Sequence, residues 1–199
     1  MILLLSELVL KPSAFFARAK NELPRWGFGW AIYGLSLIAA SLFYALKPEG
    51  FPKDSFSSAA GSHSIGFWLM MSLLGVILTL LTALVVSALI RFQEGSWKIG
   101  FPKTFYVLMV CHIWYLILFV LLSLASAARS EPLYKIFEIS ISFIGFFFTI
   151  WALKMTARTT IAKVFVSLLL SSLGLMAGLF TLYLTGIIPT EILKVLLFI

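Results

Sequence analysis

Residues 66–90 read GFWLMMSLLGVILTLLTALVVSALI and contain no ionisable side chain. At about 1.5 Å per residue, a helix of that length crosses the ~30 Å hydrocarbon core of a bilayer. Leu69, Leu73, Val76, Leu80, Leu84 and Leu89 are distributed around such a helix so that no face suits water, whereas a helix of a soluble domain keeps one polar face. The stretch therefore predicts a membrane span. Gly75, Thr79, Ala83 and Ser87 recur every four positions and predict a groove of small residues against which another helix packs.

The pattern recurs along the chain and predicts an all-α integral membrane protein with five transmembrane helices, at about 26–46, 66–90, 105–128, 136–153 and 164–186. The first has 21 residues with Trp26, Trp30 and Tyr44 as interfacial anchors. The fourth is the weakest, because its uncharged part is short and Glu138 stands near its start, to snorkel or to pair with Lys135. In the fifth, Gly174 and Gly178 form a GxxxG step, expected to make the closest helix contact, either within the protein against Gly75, Thr79 and Ala83 or between copies. Composition agrees: 61% of residues are hydrophobic, 12% are charged, and the mean hydropathy is +1.07.

Outside the spans the expectations are different. Residues 1–10 are apolar, lack the basic start and cleavage site of a signal peptide, and are expected to be retained. Pro12 can begin a helix in which Phe15, Ala19 and Leu23 share a stripe beside Arg18, Lys20 and Arg25, so residues 1–25 predict a cytoplasmic amphipathic segment lying on the membrane surface. Residues 187–199 are too few to span and predict a second interfacial segment. Residues 47–64, rich in Pro, Gly and Ser, predict an exposed loop.

The net charge of +7 does not point to nucleic acid, because the basic residues sit in short loops rather than on one wet face. It predicts contact with anionic lipid headgroups through Arg18, Lys20, Arg25, Arg91, Lys98, Lys103, Lys154, Arg158 and Lys163. Alternate sides of the five-span arrangement carry ten and five basic residues. The excess places the N-terminus in the cytoplasm and the C-terminus outside.

Catalytic chemistry is absent from the pattern. There is no phosphate loop, HExxH, GxSxG or cysteine cluster, and the few carboxylates lie near interfaces, so neither an enzyme, a cofactor nor a metal is expected. His63 stands alone in its loop and reads as a surface histidine. Cys111, the single cysteine, reads as a small buried residue. His112 is the ionisable side chain set deepest in a span; it serves either packing, as a neutral imidazole bonded to a neighbour, or function, with Thr82 as a second polar group in the membrane.

Three stretches, in order, resemble the Yip1 domain family of five-span membrane proteins. LVLKPSAFFARAKNELPRWGFGWAIYGL (8–35) is similar to the family's Lys-Pro-x-x-Phe-Phe approach to span one. GSWKIGFPKTFYVLMVCHIW (95–114) is similar to its Gly-rich loop and Phe-led third span, and WALKMTARTTIAKVFVSLLL (151–170) to its basic turn before span five. His112, Ile113 and Trp114 occupy the turn of span three where family members often carry proline, and the Asp-Leu-Tyr-Gly-Pro signature and long N-terminal region of the trafficking members are missing. The resemblance therefore implies a bacterial-type member in the inner membrane, without a Rab-GTPase partner. The expected function is a non-enzymatic scaffold or organising factor that associates with itself, other membrane proteins or lipid; the alternative is a small transporter or channel in which His112 and the hydroxyls of Thr79, Thr82 and Ser87 line a path.

Overall fold

The structure is a computed structural model. It describes residues 2–46, 65–95, 99–188 and 190, and for residues 20, 41–46 and 65–71 the backbone alone. His63, Lys98 and nearly all of the expected C-terminal interfacial segment lie outside the described residues.

Every element among the described residues is helical: α1 (Ile2–Leu10), α2 (Pro12–Asn21), α3 (Trp26–Leu46), α4 (Ile65–Glu94), α5 (Phe101–Cys111), α6 (Ile113–Ala127), α7 (Glu131–Ala157) and α8 (Ile161–Leu184). Among the described residues four stretches are long and apolar enough to cross a membrane: Ser72–Glu94, Phe101–Ala127, Glu131–Ala157 and Ile161–Leu184. Their outer surfaces carry large exposed apolar side chains, among them Phe143, Phe147, Leu173 and Phe180. A face of that size in water would drive association, whereas hydrocarbon accepts it. The molecule is thus a bundle of apolar helices of the integral-membrane type.

The helix ends follow from local chemistry. Pro102 and Pro132 sit in the first turns of α5 and α7, where a missing N–H costs no intrahelical bond. Thr160 caps α8 by accepting from the Lys163 amide. Gly95 ends α4 at φ +67°, a left-handed conformation that glycine adopts without a Cβ clash. Arg158 takes the same region at φ 52° to end α7.

The fourth predicted span changes most. α7 has 27 residues rather than the 18 of 136–153, about 40 Å of helix, because residues 131–135 and 154–157 stay helical. The expected partner of Glu138 pairs elsewhere: the Lys135 ammonium lies 2.6 Å from Glu131 one turn back. α4 likewise runs on through Glu94, α5 begins at Phe101 and α8 at Ile161.

The broken helix α5–α6 is central. It packs against α3, α4 and α7, while α8 lies against α4 and α7. From Thr104 to Cys111 every residue of α5 is buried, the longest such run among the described residues. The starts of α3, α5 and α8 meet the ends of α4 and α7 at one end of the bundle, as the contacts Trp26–Phe105 and Lys163–Glu94 show.

At that end α2 does not lie on a lipid surface alone. It packs on α7, with Phe16 fully buried and its ring edge-on to Phe148 and Trp151 at 5.7 and 5.8 Å. Phe15 is buried against Phe28. Such edge-to-face pairs add about 0.5–1.5 kcal/mol each to the burial itself. Leu23, expected on the apolar stripe, is 86% exposed, because α2 ends at Asn21 and the stripe ends with it.

Candidate binding site at the break in the central helix

The break falls at His112. Its backbone N–H bonds the Met109 carbonyl three residues back, at 3.2 Å, instead of the carbonyl four residues back. The released Leu108 carbonyl is taken by the imidazole, with Nδ1 2.8 Å away. A carbonyl oxygen can only accept, so Nδ1 carries the proton. The side chain thus replaces a backbone donor, and the tightened turn costs no unsatisfied carbonyl, a requirement inside an apolar medium. Nε2, on the opposite edge of the ring, has no hydrogen-bond partner among the described residues.

Around this turn lies a cavity of about 290 Å³ lined by Ser36, Leu37, Ala40, Thr79, Thr82, Leu108, His112, Tyr115 and Phe119. Each wall is one helical stripe. Residues 36, 37 and 40 come from α3, 79 and 82 from α4, and 108, 112, 115 and 119 follow the period of α5–α6 across the break. Of these nine, Tyr115 alone is exposed, at 44%. The His112 ring packs against Tyr33 with centroids 4.5 Å apart and against Tyr115 at 5.3 Å. About 11 residues of helix precede His112 and 15 follow it, which puts the cavity near mid-depth of this stretch.

The structure therefore brings together three of the sequence-derived polar residues, Thr79, Thr82 and His112. Ser87 is not among them: it is buried, and its hydroxyl donates to the Leu84 carbonyl. Tyr33, Ser36 and Tyr115 were not singled out, although Tyr115 lies three residues from His112 on the same helix face, a spacing that would have found it.

The small-residue groove of α4 faces protein. A Cβ on Gly75 would stand 3.7 Å from the Tyr33 hydroxyl, and Ala83 is buried. The expected partner is different, however. A Cβ at Gly174 or at Gly178 would meet nothing within 4 Å, so the GxxxG step makes no close contact within the described part of this chain. α8 meets α4 nearer its start, where Val164, Ser167, Leu168 and Ser171 are buried and Gln93 donates to the Ser167 hydroxyl at 3.1 Å. The tight glycines are Gly29, whose Cβ would lie 3.1 Å from Tyr106, and Gly145, whose Cβ would lie 3.2 Å from the Cβ of Trp114. Gly145 and Thr149 form a small-x-x-x-small step on α7.

The basic residues gather at the end of the bundle described above, several of them with acidic partners. Arg18 pairs with Glu7 and Glu22, Arg25 with Glu22 at 3.0 Å, and Lys163 with Glu94 at 2.9 Å. Arg158 is exposed, and Lys154 is half-buried at the last turn of α7. Arg91 and Lys103 lie at the ends of α4 and α5; the Lys20 side chain and Lys98 fall outside the described residues. Compared with models of protein families, with curated proteins and with solved structures, the chain matches none.

Proposed function

We propose that this chain is a five-span, non-enzymatic membrane protein that admits a small molecule to the His112 cavity, a binding or passage site of transporter or channel type. One observation carries the reading: the helix break at His112 opens a mid-depth cavity whose walls come from three different helices and hold Ser36, Thr79, Thr82 and His112 among apolar side chains. Polar groups in a span are costly and are characteristic of ligand or ion paths, and non-helical backbone at membrane depth typically borders such a path. α3, with its 21 helical residues between tryptophans and Tyr44, supplies the fifth crossing. The excess of basic residues on alternate loops supports a cytoplasmic N-terminus and an outer C-terminus, and the motif resemblance supports a bacterial inner-membrane setting. Exposed basic residues such as Arg158 then meet anionic headgroups.

The test is flux. Purified protein in liposomes is compared with protein-free liposomes for passage of a panel of small polyols, alkylamines and carboxylates, alongside Thr82→Trp, whose indole fills the cavity. Passage of one class that Thr82→Trp abolishes is the expected result. No passage of any class would leave the scaffold reading, which rests on the open Gly174 and Gly178 face of α8 as a surface for a second copy or another membrane helix. That reading is tested by crosslinking Gly178→Cys in a Cys111→Ala background.

A further inference from the structure

We infer that the cavity selects an uncharged amphiphile whose head carries a hydroxyl or amide N–H, donated to Nε2 of His112; this names the ligand class of the site proposed above and rests on that reading. The argument is a count of protons. Ser36 donates its hydroxyl to the Tyr33 carbonyl at 2.7 Å, Thr79 to the Gly75 carbonyl at 2.9 Å, Thr82 to the Leu78 carbonyl at 2.8 Å, and His112 its Nδ1–H to the Leu108 carbonyl at 2.8 Å. Each of these donors is thus spent on the backbone of its own helix. Lone pairs are what remain: the oxygens of Ser36 and Thr82, and Nε2 of a neutral His112. The Thr79 oxygen is also engaged, since its one proton goes to Gly75 and the Tyr33 hydroxyl 3.0 Å away must donate to it. Among the described lining residues Tyr115 contributes the remaining hydroxyl and is the one exposed.

A molecule that only accepts, such as an ether or ester, therefore finds little to bond on these walls, whereas an O–H or N–H finds several acceptors. Charge is excluded on separate grounds. The nine described lining residues contain no carboxylate, lysine or arginine, and an ion without a counter-charge at this depth costs several kcal/mol. A carboxylate would in addition face lone pairs. Leu37, Ala40, Leu108 and Phe119 provide carbon surface for a short tail, and the volume lies at the lower end for ligand pockets, which run from about 300 to 1,000 Å³. Tyr115, 44% exposed, is the described lining residue at which the site meets the surface of the bundle.

The chain has two histidines, so a His63→Gln variant labelled with ¹⁵N-histidine and placed in nanodiscs reports His112 alone. Three probes with one tail are titrated: 1-octanol, octyl methyl ether and octanoate. Octanol should move the Nε2 resonance saturably, with the ether at least about tenfold weaker, the equivalent of one net hydrogen bond, and octanoate without effect; Thr82→Trp should remove the octanol response. If the ether or octanoate saturates the shift as well as octanol does, the donor assignment is overturned while the cavity reading stands. If no probe shifts Nε2 saturably in a protein whose spectrum shows one folded state, both are overturned.

Discussion

The Tyr33 phenol donates to the Thr79 hydroxyl across 3.0 Å, joining α3 to α4 beside the His112 ring. Tyr33 is 1% exposed, and lipid offers its hydroxyl no alternative partner if Thr79 is removed. Thr79→Val, which keeps the shape, should therefore destabilise the folded protein by about 1–2 kcal/mol, and Tyr33→Phe by a similar amount. In a double-mutant cycle followed by thermal unfolding in detergent, the combined loss should fall short of the sum. Full additivity would show that the bond contributes nothing.

His112→Gln and His112→Leu should separate. Glutamine can still donate to the Leu108 carbonyl and keep the tightened turn. Leucine cannot, and either leaves that carbonyl unpaired, at about 1–3 kcal/mol, or lets the backbone amide return to it and straighten the helix. Melting temperature in detergent, read for both variants, should rank wild type and Gln above Leu. Equal values for Gln and Leu would mean that the imidazole bond does not hold the break.

Gly145→Leu should be costly and Gly178→Leu nearly neutral. At Gly145 the new side chain meets the Cβ of Trp114 at 3.2 Å, an atom that moves only with its backbone, and overpacking of this kind costs about 1–3 kcal/mol or more. At Gly178 the space is open. The measurement is again thermal stability, here at protein concentrations low enough to disfavour self-association; a larger loss at Gly178 would show that α8 packs elsewhere than on α4 and α7.

Glu94 and Lys163 clamp the end of α4 to the start of α8 at 2.9 Å, with the Glu94 side chain 16% exposed. Lys163→Met should cost about 1 kcal/mol, more than loss of the exposed Lys135–Glu131 pair, which solvent screens. Thermal stability in low and high salt distinguishes them, since screening should erase the exposed pair first. An equal salt response would place Glu94 in open water.

The basic-residue asymmetry predicts the topology of the proposed five-span arrangement. Reporter fusions after Gly95 and Thr159 should read cytoplasm and a fusion after Ser57 outside. A fusion at Ile199 that reads cytoplasm would change the number of crossings from five to four or six.

The presence and order of the helices were legible in the sequence, because a backbone in hydrocarbon must satisfy its own hydrogen bonds and an uncharged run of some twenty residues leaves only a spanning helix. The α3 bounds, the central place of small residues on α4 and the polar character of the turn at His112 follow from composition and period. Rotation does not. When the surroundings are as apolar as leucine, hydropathy is the same on every face, so nothing in the string says that Ser36, Thr82 and His112 turn toward one cavity while Gly174 and Gly178 turn away. The longer α7 escaped because Glu131, Lys135 and Glu138 mark an end by charge although the helix continues through them into the interface. The charge count likewise treated Arg18, Arg25 and Lys163 as bare, and only packing brings Glu7, Glu22 and Glu94 beside them. Tertiary structure decided the azimuth of each helix, since azimuth is set by side chains that meet across sequence separations such as Tyr33 to Thr79, and local pattern holds no record of those meetings.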